Sequence, residues 1–74
     1  MQVVLKYVQS IAIEGLNSGD TIRVEDDMTV DSFMNRLNLE GADIEKVQPV
    51  INGSEVDLNA VINNGDELFL DFNG

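Results

Sequence analysis

Apolar positions along the chain switch between a period of two and a period near 3.6, and each switch marks an element. Residues Val3 to Val8 (VVLKYV) are rich in β-formers. They read as a strand with Val3, Leu5 and Tyr7 on one face and Val4, Lys6 and Val8 on the other. The connection QSIAIEGLNSGD holds a turn cluster, NSGD. Its Ile11, Ile13 and Leu16 are too apolar for a free loop, so a short helical turn or extended chain tucked over one end of the core is expected. Thr21 to Glu25 (TIRVE) returns to the strand period with Ile22 and Val24 inward, and Asp26-Asp27 break it. From Thr29 to Leu39 (TVDSFMNRLNL) the period becomes helical. Val30, Phe33, Met34 and Leu37 then share one face. Thr29 suits the N-cap and Asp31 the first turn, while Asn38 or Gly41 in a left-handed conformation would end the helix.

Beyond Gly41, Ile44 and Val47 lead into VQPVING. Pro49 brings no amide proton, so this strand belongs at an edge or carries a bulge. Asn52-Gly53 predicts a hairpin of type I′, because both residues tolerate positive φ. Ser54 to Val56 forms the short returning strand. Leu58, Val61 and Ile62 have the spacing of a single buried turn. After the NNG loop, ELFLDF is the last strand, with Leu68, Leu70 and Phe72 on one side and Phe69 on the other.

One greasy helix among strands needs a sheet to cover, and a crossover helix joining strands of one sheet packs on one of its faces. The expected architecture is a two-layer α+β domain spanning residues 1–74. Its sheet is mixed, of four to five strands, with one main helix on one face. The topology that buries most sets the first and last strands parallel and adjacent at the centre, which is the β-grasp (ubiquitin-like) arrangement. A chain of 74 residues buries only about 60% of its unfolded surface, so its core is small.

The composition narrows the chemistry. Cysteine and histidine are both absent, which removes thiolate nucleophiles, disulfides, thiolate zinc sites and the commonest general base. The expectation is a protein that is not an enzyme and that uses no cofactor or metal. Fourteen acidic residues against four basic ones give a net charge of −10. That balance argues against nucleic acid and anionic membranes, both of which are bound by neutralising phosphate. It favours docking on a basic partner protein at an electrostatically raised rate. No apolar run approaches the ~20 residues of a membrane span, and no signal peptide is evident. A cytoplasmic monomer is the expectation.

The pattern TVDSFMNRL, then VINGSEV, then NNGDELFL resembles the MoaD/ThiS family of small ubiquitin-like sulfur carriers. In that family "TV" opens the helix, "NG" or its equivalent turns the middle hairpin, and "GD" before a hydrophobic residue leads into the final strand. The resemblance implies a carrier whose C-terminal glycine is adenylated by an ATP-dependent activating enzyme. Gly74 matches that glycine. Asn73 stands where the family has a second one, and the tail is shorter than the family's. The "GD" signal also occurs in TGS-type β-grasp domains. These imply the alternative, an acidic protein-binding module with no C-terminal chemistry.

A docking patch is expected on the open face of the sheet. There Phe69 would lie beside Val4 and Val8, with Lys6 near Glu67 and Asp71, and Phe72 would join in holding the partner. Glu25, Asp26 and Asp27 offer oxygen ligands without the spacing of a known cation loop, and a solvated turn is the better reading. Met28 and Met34 read as fillers of the core.

Overall fold

The structure, a computed structural model, describes residues 1–9, 11–13, 15–37, 39–40 and 46–72. Eight elements follow in order: β1 (Gln2–Tyr7), β2 (Ala12–Ile13), β3 (Asp20–Arg23), α1 (Val30–Arg36), β4 (Leu39–Glu40), β5 (Val47–Ile51), β6 (Ser54–Glu55) and β7 (Glu67–Phe72). Five of the strands make one mixed sheet in the order β3-β1-β7-β5-β6, and β2 and β4 pair separately. With one helix packed on the sheet, the fold is α+β. The first and last of these five strands lie side by side and parallel at the centre, Leu5 opposite Leu68 and Tyr7 opposite Leu70. All other pairings in the sheet are antiparallel.

Strict alternation decides which face is buried. Val3 and Leu5 of β1, Leu68 and Leu70 of β7, and Val47 of β5 join Val30, Phe33 and Met34 of α1 in one core. Met28 and Met34 are both in it, as fillers. The helix stripe is thus placed as its spacing predicts.

The start of α1 is held on every side. Thr29 Oγ1 accepts from the Ser32 amide at 3.2 Å, as an N-cap should. The amides of Val30 and Asp31 donate to Ala60 O and Leu58 O, each at 3.0 Å. The Ile62 amide donates to Met28 O at 2.9 Å, and Thr29 bridges Val61. The segment between β6 and β7 therefore supplies acceptors that a helix's first turn cannot find within itself. That role corrects the expected buried turn. Ile62 is buried, but Leu58 and Val61 are 38% and 49% exposed, because their carbonyl and bridge contacts turn the side chains outward. The helix also ends earlier than expected. Leu37 is extended (φ −87°, ψ 139°) and its amide donates to Met34 O, while Asn38 and Gly41 lie outside the described residues.

Extended chain, one of the two readings of the first connection, is what Ala12–Ile13 adopts, paired with Leu39–Glu40. Ile11 and Ile13 are buried, and Tyr7 Oη donates to Leu16 O at 2.6 Å, which ties this connection to β1. The hairpin turns at Asn52 (φ 51°) and Gly53 (φ 86°), the left-handed pair that a type I′ turn requires.

Pro49 is neither at an outer edge nor in a bulge against β7: β5 sits between β7 and β6, and its register with β7 runs unbroken from Val47 to Ile51. The register that sets Val50 against Glu55 puts Pro49 against Val56, whose amide donates to Pro49 O at 3.1 Å. The reciprocal bond has no donor, since proline has no N–H. The Gln48 side chain stands in for it, with Nε2 donating to Val56 O at 3.0 Å and to Pro49 O at 2.9 Å. A proline is accommodated inside the sheet because its neighbour lends an amide.

Candidate functional site

The sheet face away from α1 is where alternation puts Val4 and Lys6 of β1, Glu67, Phe69 and Asp71 of β7, and Gln48 and Val50 of β5. Phe69 pairs with Lys6 on one side and with Val50 on the other, and Val4 stands opposite Glu67, diagonal to the ring. Val4, Phe69 and Val50 are all half-buried and outside the core cluster. They form an apolar strip across the three middle strands.

Charge surrounds the strip. Lys6 Nζ meets Glu67 Oε1 at 2.7 Å, with both side chains about half exposed (49% and 47%), which is the expected neighbourhood. Asp71 lies opposite Gln48, and Glu55 follows Val50 across the next pairing. An exposed pair of this kind contributes about 0–1 kcal/mol and is screened by salt. The Lys6–Glu67 pair's consequence for the face is to hold Lys6 against a carboxylate.

Of the residues expected on this face, Val4, Phe69 and Asp71 are on it. Val8 is not: it stands past the end of β1, donates its amide to Leu70 O at 3.2 Å and packs against the core, because the chain leaves the pleat after Tyr7. Phe72 closes β7 opposite Val47. Asn73 and Gly74 lie outside the described residues. Val50 belongs to the strip and was not singled out in the sequence, although its parity, opposite to Val47, Pro49 and Ile51, marks it.

The "GD" signal before β7 has a structural content. Asp66 accepts from the Asn63 amide at 2.8 Å and from Asn52 Nδ2 at 3.0 Å, and Asn52 Oδ1 accepts from the Glu67 amide at 3.0 Å. The Gln2 amide donates to Asn64 Oδ1 at 2.7 Å. This network fixes where β7 enters between β1 and β5.

Two of the three carboxylates considered for a cation are otherwise engaged. Glu25 pairs with Arg36 at 3.2 Å and Asp26 lies 3.5 Å from the Met1 amino group. Among the described residues no three metal-capable side chains converge, and no helix is long and apolar enough to cross a membrane. Compared with protein-family models, with curated proteins and with solved structures, the chain matches none.

Proposed function

We propose that the chain is a ubiquitin-like β-grasp domain that docks on a basic partner protein through the open face of its sheet and performs no chemistry of its own. The β-grasp reading is supported by the order β3-β1-β7-β5-β6 with its parallel central pair. The docking reading rests on one observation, the Val4–Phe69–Val50 strip bordered by Glu67, Asp71 and Glu55. Binding surfaces are commonly built from an aromatic anchor within a charged rim. The net charge of −10 accelerates encounter with a cationic partner.

The test compares wild type, Phe69→Ala and a variant lacking Asn73 and Gly74, each titrated by calorimetry against the partner captured on the wild type. Phe69→Ala is expected to weaken binding by about 1–2 kcal/mol, and loss of the last two residues to leave it unchanged. An unaltered affinity in the Phe69 variant overturns the reading.

A second reading, a MoaD/ThiS-like sulfur carrier, is favoured by the central position of β7, from which the chain runs on to Gly74. In it the Gly74 carboxylate is adenylated and an incoming nucleophile displaces AMP. Pairing through Phe72 means that an activating enzyme would draw on the last pairs of the ladder. ATP–pyrophosphate exchange with such an enzyme, followed by intact mass, decides it: neither an acyl-adenylate nor a thiocarboxylate would end this reading.

A further inference from the structure

A groove runs between β3 and α1, on the sheet edge opposite β6. Ile22, Val24, Met28, Phe33 and Leu37 line it, and it encloses about 240 Å³. Met28 and Phe33 are buried, whereas Ile22, Val24 and Leu37 are half-buried and keep apolar surface toward solvent.

The backbone beside this groove is paired on one side only. The Met1 amino group donates to Val24 O and the Val24 amide to Met1 O, both at 2.8 Å. The register continues through Val3 opposite Ile22. Residues 22 and 24 therefore turn their amide and carbonyl groups toward β1, and Thr21 and Arg23 turn theirs outward. With β3 at the end of the sheet, no strand among the described residues receives them. An open edge of this kind accepts an extended segment, the main chain supplying affinity and alternate side chains filling the pocket.

Charge identifies the occupant. Of the four basic residues in the chain, Arg23 and Arg36 both line the groove. Arg36 is held by Glu25; Arg23 is exposed and has no ion-pair partner among the described residues. A second copy fits poorly, since pairing β3 with its equivalent sets arginine near arginine between two bodies of charge −10. At contact distance the local arginine decides over the net charge, because screening acts over ~8 Å at physiological ionic strength.

We propose that this groove binds an extended peptide segment of a partner protein, which pairs with the free edge of β3, seats alternate aliphatic side chains in the groove and offers Arg23 a carboxylate. The site is separate from the Phe69 face and stands whether or not that face docks a partner.

The probe is a fluorescein-labelled peptide, Gly-Thr-Val-Thr-Ile-Asp-Ser-Gly, titrated into the ¹⁵N-labelled chain with polarisation and amide shifts as readouts. Shifts are expected over Asp20–Val24 and at Phe33 and Leu37. Arg23→Glu should weaken binding about tenfold or more, and a probe carrying Lys in place of Asp should recover affinity for that variant. Thr21→Pro, which removes an outward amide without touching the β1 ladder, should abolish binding while the remaining spectrum stays dispersed. No binding up to about 1 mM probe, or shifts confined to Val4, Val50 and Phe69, overturns the proposal. Concentration-dependent shifts in β3 without probe overturn it in favour of a second copy.

Discussion

Replacing Gln48 by Ala removes Nε2, the group that donates to Val56 O at 3.0 Å where Pro49 has no N–H to offer. Val56 is half-buried, so its carbonyl regains only part of its hydration. A lost hydrogen bond between neutral groups costs about 0.5–1.5 kcal/mol net, and an acceptor left dry about 1–3 kcal/mol. Partial access to water places Gln48→Ala near the low end, about 1 kcal/mol, apart from the loss of its side-chain packing. That loss cancels in a double-mutant cycle. In a Pro49→Val background the new Val N–H faces Val56 O in the ladder and makes the bond that Gln48 had been substituting. Gln48→Ala should then cost about 1 kcal/mol less than it does beside Pro49. Urea unfolding at 25 °C reads both backgrounds. With a slope of about 1 kcal/mol per M for a chain of this size, the coupling is about 1 M in the difference of midpoint shifts. Equal shifts in the two backgrounds would refute the substitution of side-chain for main-chain donor.

Thr29→Ala should cost about 1 kcal/mol in thermal or urea unfolding, since the Ser32 amide loses its acceptor; Thr29→Ser should restore most of it. Asp66→Ala should cost about 1–2 kcal/mol, because the Asn63 amide and Asn52 Nδ2 both lose their partner, and hydrogen exchange should quicken first at the β1–β7 entry. Raising salt from about 10 to about 150 mM, which shortens screening from roughly 30 to 8 Å, should raise the melting temperature. The repulsion relieved among fourteen carboxylates exceeds what salt takes from the exposed Lys6–Glu67 and Arg36–Glu25 pairs and from the Met1–Asp26 contact. A melting temperature that falls with salt would sink that reasoning.

What the sequence made legible was whatever periodicity or backbone chemistry could carry. Alternation sorted Val3, Leu5, Leu68 and Leu70 inward and Val4 and Phe69 outward, the Val30–Met34 stripe located the helix, and Asn52-Gly53 located the hairpin. Short or irregular pieces were not legible in the same way. Two residues, Ala12–Ile13, have no period, so their pairing with Leu39–Glu40 had no signal beyond the need to bury Ile11 and Ile13. Leu58 and Val61 had helical spacing, but the helix recruited their segment for its carbonyls. Val8 kept the parity of Val4 after the strand had ended. Pro49 pointed to an edge or a bulge because the rule assumes that a missing donor stays missing, and Gln48 answers it from the side. The groove beside Arg23 needed β3 and α1 placed in space before its residues, distant in sequence, could be seen as one site.

The central place of β7 bears on how the protein is made. Its neighbours β1 and β5 are translated earlier, yet neither gains its middle partner until Glu67–Phe72 have left the ribosome. Until then Leu5 and Val47 face a gap, and the nascent chain offers two open strand edges to chaperones or to other chains. The native sheet is closed by inserting one late segment between two waiting ones, a step of long sequence separation and therefore slow.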